Sequence, residues 1–327
     1  MNQFDNISNQ FMIVAGIIIS ILGLIGNILN IFVFTNWSRS RPKTNQQRII
    51  SRTSNSPLYL LISSIANIIV IAYPLCTRIL SDGYEYPVTQ NNMFFLCQLR
   101  YYTLHTFDMI SLSCLCMAIL DRYLVSSREA RLRQLSTTRQ QTKIIILSIV
   151  CLIGLHSIPI AIYYNISTSG QCIIYSTSYL YYYRYIIQIF LHGIIPIIFF
   201  SIFGFLIFKQ LKMIKNQQNI NKNLNVDKQL SRMLLLMSTT IVISTIPYSA
   251  ENIYYLIFID SNQQQTSYVS FFHVISSLLF YTNSICSFYV YYISTPNFRV
   301  QVKKTIFCKK DLNRFMNNRV NTITTGQ

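Results

Sequence analysis

Seven stretches of this chain are long and apolar enough to cross a lipid bilayer, and this feature constrains the fold more than any other. A helix needs about 20 mostly apolar residues to span the hydrocarbon core, and its backbone polar groups must pair within the segment. The predicted spans are Phe11–Phe34, Leu58–Leu80, Met93–Val125, Thr142–Tyr164, Tyr185–Phe208, Leu230–Ile259 and Tyr268–Ile293. The first stretch is too long for a secretory signal and lacks a basic start and a small-residue cleavage site, so we expect it to be retained.

The charges predict how the spans are oriented. Only 11% of the residues are charged, against about 25% in soluble domains. A net charge of +17 alone would suggest a nucleic-acid or membrane-surface partner. However, all of the 27 Lys and Arg residues except Arg78, Arg100 and Arg184 fall on one side of the predicted membrane. Basic loops stay in the cytoplasm, so we expect a multi-pass plasma-membrane protein with its N-terminus outside, its C-terminus inside and no nucleic-acid partner.

This topology predicts an all-α membrane protein with three parts. They are an extracellular N-terminus (1–10), a seven-transmembrane helix bundle (11–293) and a cytoplasmic helix and tail (294–327). The sequon asparagines Asn6 and Asn165 both fall on the predicted outer face and are glycosylation candidates. The eight cysteines form no CxxC pair and no zinc-spaced Cys/His cluster, so we expect neither a metal framework nor a cofactor.

Several short motifs occur in a fixed order along the spans. The tripeptide Asp121–Tyr123 (Asp-Arg-Tyr) ends span three, and Cys97 begins the same span. Cys172 follows in the loop between spans four and five, where an oxidising exterior would preserve a disulfide. The remaining motif residues are Gly26 and Asn27 in span one, Pro159, Pro196 and Pro247 in spans four to six, and Tyr291 at the end of span seven.

With this ordered set, the chain resembles the rhodopsin-like (class A) G-protein-coupled receptors from about Gly26 to Lys310, with the neuropeptide-receptor branch as the leading comparison. The resemblance implies a Cys97–Cys172 disulfide and a short amphipathic eighth helix after span seven. Phe298, Val302 and Ile306 would form the membrane-facing side of that helix. Cys308 is then a palmitoylation candidate.

The resemblance also implies a heterotrimeric G-protein partner and a switch that controls it. Asp121 and Asp227 would hold Arg122 at rest, and movement of span six away from Arg122 would activate the G protein. Pro196 and Pro247 would act as hinges, because each proline frees a backbone carbonyl. The alternative reading of Arg122 is a basic side chain that anchors the span at the membrane surface. The expected switch residues are Asp121, Arg122, Tyr123, Asp227 and Tyr291.

The chain departs from the family at several positions. Asn67 replaces the usual aspartate of span two, and Ser287 with Phe288 replaces the Asn-Pro of span seven. These changes argue against the family's sodium site. Span six has Thr245 where a tryptophan is usual, so an indole cannot serve as its switch.

The ligand pocket is expected among spans three, five, six and seven. Leu104 stands where amine receptors carry an aspartate, which argues against a monoamine bound in the usual way. Mixed charge and aromatic surface favour a peptide with charged ends, although each polar side chain could instead bond a neighbouring helix. The candidates are Arg100, Leu104, His105, Asp108, Arg184, Tyr248, Glu251 and His273.

Other functions remain open at this point. A chemosensory receptor of the same fold would share every motif. A transporter is disfavoured because no internal repeat is present, and a membrane enzyme because no hydrolase or protease motif is found in the spans. The basic inner loops could bind anionic lipids as well as a G protein.

Overall fold

The computed structural model describes residues 3–39, 55–127, 129–167, 172–215, 222–258 and 267–305. In these residues seven helices are long and apolar enough to cross a membrane, which confirms the predicted all-α bundle. We refer to them as spans 1 to 7. Their bounds are Gln3–Arg39, Ser56–Gly83, Phe94–Ser126, Arg139–Tyr163, Thr177–Tyr182 continued by Tyr183–Ile194 and Ile195–Lys215, Lys222–Phe258, and Ser267–Ser294.

Three smaller elements lie between and after the spans. A short helix, Ala130–Gln134, connects spans 3 and 4. Strands β1 (Tyr164–Ile166) and β2 (Cys172–Ile174) form an antiparallel hairpin between spans 4 and 5. A last helix covers residues 296–305. The hairpin and the Asp-Arg-Tyr tripeptide lie at opposite ends of span 3, and we call these ends of the bundle the disulfide end and the Arg122 end.

Three helices begin eight residues earlier than hydropathy predicts, and one of them is span 6, which begins at Lys222 where the predicted start was Leu230. Span 1 begins at Gln3 and so includes most of the segment predicted as a separate N-terminus. Span 5 begins at Thr177, where the Ser176 side chain accepts a hydrogen bond from the Tyr179 backbone N–H. Hydropathy detects only the apolar part of a helix, whereas the backbone bonding continues into the polar region.

Two of the prolines in the spans lie in or next to widened helical turns. In span 2, Pro74 lies inside a π-helical segment, Ile71–Leu75. In span 5, the π-helical segment Tyr183–Ile194 ends just before the buried Pro196. A proline cannot donate a backbone hydrogen bond and clashes with the preceding turn, and wide turns of this kind accompany kinks in helices. The hydropathy pattern does not predict these wide turns.

The apolar surface divides into a packed interior and an exposed belt. Near the Arg122 end, Leu115 and Ile119 of span 3 pack with Met233 and Leu234 of span 6 in one buried cluster. Span 4 exposes most of its apolar side chains, Leu152 among them. Exposed apolar helix faces are expected where lipid is the solvent.

The helix of residues 296–305 corrects one detail of the sequence analysis. It is amphipathic as predicted, but Phe298 and Val302 are buried by the bundle and do not face the membrane. The Phe298 ring lies 5.9 Å from both Phe34 and Trp37 and 5.7 Å from Tyr291. The aromatic side chains of spans 1 and 7 therefore take up the surface that lipid was expected to cover. Ile306 and Cys308 lie outside the described residues.

Candidate functional site

A disulfide joins Cys97 at the start of span 3 to Cys172 in β2, with their Cα atoms 5.7 Å apart. The pairing expected from the family resemblance is therefore confirmed. Beside it, the rings of Tyr101 and Tyr164 stack with centroids 4.1 Å apart. These contacts fix the β hairpin to span 3. Both sequon asparagines, Asn6 in span 1 and Asn165 in β1, are exposed.

A cavity of about 760 Å³ lies below the hairpin, and we call it the disulfide-end cavity. Four of the predicted pocket residues line it: Arg100, Leu104, Tyr248 and His273. Three further charged residues of its wall are Arg78, Asp82 and Glu85, and its aromatic wall includes Tyr101, Tyr183 and Tyr281. The cavity therefore combines opposite charges with phenol rings.

A chain of polar contacts crosses this cavity from span 2 to spans 6 and 7. The Arg78 Nε donates to Asp82 Oδ2 at 2.9 Å, and its Nη2 lies 3.0 Å from His273 Nε2. The other ring nitrogen of His273, Nδ1, lies 2.5 Å from Glu251 Oε1. Ser276 donates to the second oxygen of Glu251. Because the arginine donates to His273 Nε2, that ring presents its Nδ1–H to Glu251.

Arg100 of span 3 also contacts Asp82, the carboxylate to which Arg78 donates. Its Nη1 donates to Ser81 Oγ at 2.6 Å, and its Nη2 lies 3.7 Å from Asp82 Oδ2. The guanidinium carbon lies 5.2 Å from the centroid of the Tyr101 ring, which is a cation–π contact. Arg100 is 5% exposed, so its charge is held by these three neighbours and not by solvent.

A second polar chain lies deeper in the bundle. Asp108 Oδ2 is 3.0 Å from His192 Nδ1, and His192 Nε2 is 3.2 Å from His105 Nδ1. His105 Nε2 contacts the Tyr183 hydroxyl, and Gln188 donates to that hydroxyl at 2.8 Å. This chain runs from the wall of the large cavity to a second cavity of about 20 Å³, which Asp108 and His192 help to line.

The remaining pocket candidates lie elsewhere. His105 and Asp108 belong to the deep chain, and Glu251 is buried behind His273. Arg184 is half-buried in span 5 and is not part of the cavity wall. Its position on the span was predicted from hydropathy, which does not define the direction of a side chain.

At the Arg122 end, Ser56 connects the first residue of span 2 to the Asp-Arg-Tyr tripeptide. The Ser56 backbone N–H and hydroxyl donate to Asp121 Oδ2 at 3.0 and 2.7 Å. Arg122 Nε donates to the Ser56 Oγ at 3.0 Å. A carboxylate at a helix N-terminus is favoured because the first N–H groups have no intrahelical partner. Asp121 therefore caps span 2 while Ser56 holds Arg122, which is 2% exposed.

The other expected switch residues have different surroundings. Tyr291 is buried with its ring 5.8 Å from Phe34. The Tyr123 ring lies 5.6 Å from Phe203 of span 5. Asp227 lies in the first turns of span 6, and its side chain is outside the part of the chain whose side chains are described.

Polar pairs join the spans where the chain departs from the family pattern. Asn283 of span 7 bonds Ser244 and, at 3.1 Å, the Thr245 hydroxyl of span 6, just before Pro247. Asn30 of span 1 donates to Ser287 of span 7 at 3.0 Å. These bonds hold span 7 between spans 1 and 6. Among the described residues, no group of three His, Cys, Asp or Glu side chains could hold a metal ion.

Sequence reasoning missed several residues that build these contacts. Arg78 was noted only as an exception to the charge asymmetry, and Asp82, His192, Gln188 and Ser56 were not singled out. One available signal was the spacing of Arg78 and Asp82, which are four residues apart and so face each other on a helix. A second signal was charge inside an apolar span, which is costly and points to function.

One family profile matches most of the chain. It is described as "7 transmembrane receptor (rhodopsin family)" and matches residues 52–291. No curated protein sequence matches the chain significantly. The matched region contains the disulfide, most of the residues that line the disulfide-end cavity, and the Asp-Arg-Tyr tripeptide. The chain belongs to the rhodopsin family of seven-transmembrane receptors.

Proposed function

We propose that the chain is a plasma-membrane receptor that binds an extracellular peptide at its disulfide end and activates a heterotrimeric G protein at its Arg122 end. The single observation that carries this proposal is the placement of an open polar cavity and a buried Asp-Arg-Tyr tripeptide at opposite ends of one rhodopsin-family bundle. A receptor of this kind needs no catalytic group.

The exposed charges support the proposed orientation. At the Arg122 end, the exposed basic residues include Arg139, Lys212, Arg232 and Lys303. Basic residues flanking a span remain in the cytoplasm, where they can also contact anionic lipids. The disulfide end would then face the oxidising exterior. Asn6 and Asn165 become glycosylation sites on that face, and Cys308 a palmitoylation site on the other.

The dimensions and chemistry of the cavity support a peptide ligand. Its volume of about 760 Å³ falls within the range of about 300–1,000 Å³ typical of ligand pockets. Its wall offers two guanidinium groups, two carboxylates and several phenol rings, which are groups that recognise charged ends and side chains. A monoamine would need a cation-binding acid near Leu104, but the nearest acid on span 3, Asp108, is bonded to His192.

The proposed activation step moves span 6 away from Arg122. In this structure, Met233 and Leu234 of span 6 are fully buried beside span 3. An outward movement would uncover this surface and make Arg122 available to a G protein. Pro247 offers the bend, and the bonds from Asn283 to the preceding turn would have to rearrange. Asp227 would contribute to holding Arg122 at rest.

The test is expression of the full chain in cells that carry a G-protein activation sensor. We expect a response to one or more members of a library of short peptides supplied with both free and amidated C-termini. Arg122→Ala should abolish the response without lowering the amount of receptor at the cell surface. Arg232→Ala, an exposed basic residue of span 6, is the matched control and should keep the response. A full response from Arg122→Ala would contradict the proposed switch.

The orientation has its own test. Endoglycosidase treatment should increase the gel mobility of the wild-type chain, and this shift should vanish in the double variant Asn6→Gln/Asn165→Gln. An epitope placed after Val125 should be detected only in permeabilised cells. Detection of that epitope on intact cells would overturn the orientation.

A further inference from the structure

The hydrogen bonds around the disulfide-end cavity are unbalanced, because the carboxylates of Asp82 and Glu251 are bonded while two buried donors of the cavity wall are not. Both oxygens of Asp82 accept bonds, from Ser81 and Arg78. Both oxygens of Glu251 are likewise bonded, to His273 and Ser276. The carboxylates of the buried network therefore have their bonds already.

The donors differ. Among the described residues, neither Arg100 Nε nor the Tyr281 hydroxyl has a hydrogen-bond partner. Arg100 is 5% exposed and Tyr281 is 1% exposed. Leaving such groups without partners is costly, and nearly all buried polar groups in proteins are bonded. Both residues belong to the cavity wall, and because the two donor atoms themselves are covered in this structure, a ligand must displace the groups that cover them before it bonds to them.

The side chains that carry the two donors line the same cavity as Arg78. The cation–π contact with Tyr101 and the bond to Ser81 hold Arg100 in place. An arginine held in this way is suited to a planar anion, because its N–H groups match the spacing of two carboxylate oxygens.

We propose that this part of the cavity is a subsite for an anionic oxygen group of the ligand, a carboxylate, which accepts hydrogen bonds from Arg100 Nε and from the Tyr281 hydroxyl. The inference rests on the proposed function, since it assumes that the ligand enters this cavity. For a peptide ligand it specifies a free C-terminus or an acidic side chain at this position. A C-terminal amide is the wrong group for it, because an amide carries no negative charge and has only one oxygen.

The test uses purified full-length receptor and small probes in place of the ligand. N-acetylglycine mimics a free peptide C-terminus, and N-acetylglycinamide is the matched uncharged probe. At constant ionic strength, N-acetylglycine should raise the thermal unfolding temperature in a saturable manner, and the amide should not. Inorganic phosphate and sulfate form separate arms that distinguish a carboxylate from a phosphate or sulfate ester as the source of the anion.

Two variants connect the effect to the subsite. Tyr281→Phe retains the ring and removes only the donor, so we expect the half-saturating concentration of N-acetylglycine to rise about tenfold. Arg100→Gln should remove the effect. The matched controls Tyr185→Phe and Arg139→Gln change exposed residues outside the cavity and should behave as the wild type. The unfolding transition of each variant without probe reports whether it is folded.

Each result has a defined consequence. Stabilisation by N-acetylglycine that depends on Arg100 and Tyr281 supports the carboxylate subsite. The same dependence seen only with phosphate or sulfate assigns the subsite to those anions and overturns the carboxylate. Equal shifts with the amide, no shift with any anion, or an unchanged half-saturating concentration in Tyr281→Phe would overturn the proposal as a whole.

If the anions bind but no peptide activates a G protein, the subsite stands and the proposed function fails. If an agonist signals equally through wild type and Tyr281→Phe, the function stands and the subsite fails.

Discussion

Removing His192 should destabilise the receptor strongly, because this side chain partners a buried carboxylate in the middle of the bundle. His192→Leu keeps a side chain of similar size but removes the ring nitrogens. Asp108 Oδ2 then loses a contact at 3.0 Å, and His105 Nδ1 loses one at 3.2 Å. The side chains of His192 and Asp108 are 3% and 11% exposed, so water replaces these contacts poorly.

The expected magnitude follows from this burial. A hydrogen bond to a charged group contributes about 1.5–3 kcal/mol, and removing one partner of a buried pair costs about 3–5 kcal/mol. We therefore expect His192→Leu to lower the free energy of unfolding by about 2–5 kcal/mol. The double variant Asp108→Leu/His192→Leu should recover most of this loss, because no polar group of the pair is then left buried without a partner.

The assay is thermal unfolding of the purified receptor, arranged as a double-mutant cycle. A loss of this size should lower the unfolding temperature by roughly 3–7 °C for a chain of this length. His156→Leu is the matched control, because His156 is exposed and contacts only the Tyr182 hydroxyl at 2.9 Å among the described polar groups; its effect should be small. An unfolding temperature of His192→Leu equal to that of the wild type would refute the reasoning. So would a double variant whose loss of stability equals or exceeds the summed losses of the two single variants.

Three further perturbations test other contacts. Ser56→Ala removes the hydroxyl that bonds both Asp121 and Arg122, so unfolding free energy should fall by about 1.5–3 kcal/mol and basal G-protein turnover should rise; unchanged turnover would argue that Ser56 does not restrain the switch. Asn283→Ala breaks the bonds to span 6 beside Pro247 and should raise basal turnover severalfold, measured as GTP exchange without agonist. GTP exchange equal to that of the wild type would argue that these bonds do not restrain span 6. Gly26→Val places a Cβ 3.0 Å from the Phe288 Cβ and should destabilise by about 1–3 kcal/mol in thermal unfolding, and a neutral result would mean that spans 1 and 7 separate easily.

Hydropathy alone predicted the number of spans because lipid imposes a simple rule on every backbone that crosses it. The helix ends were less predictable: span 5 begins at Thr177, in a tyrosine-rich segment that is neither strongly apolar nor charged. The π-helical turns before Pro196 depend on packing as well as on the proline, and no periodicity of the sequence marks them.

The site was predicted in part. Arg100, Tyr248 and His273 were expected in a pocket because they occur at suitable depths in their spans, and they do line the cavity. Hydropathy and spacing do not predict which side chains of different spans pair, so the bond of Asp108 to His192 was missed. The same limit applies to Phe298, whose burial against span 1 depends on the path of the chain after span 7.

The central claim is that ligand binding moves span 6 away from span 3 at the Arg122 end, and oxidative footprinting tests it most directly. Met233 of span 6 and Met12 of span 1 are both fully buried in this structure, so hydroxyl radicals should oxidise both slowly. With an agonist from the peptide screen, we predict severalfold faster oxidation of Met233 and no change at Met12. Unchanged protection of Met233, under conditions in which the same agonist activates the G protein, would contradict the account.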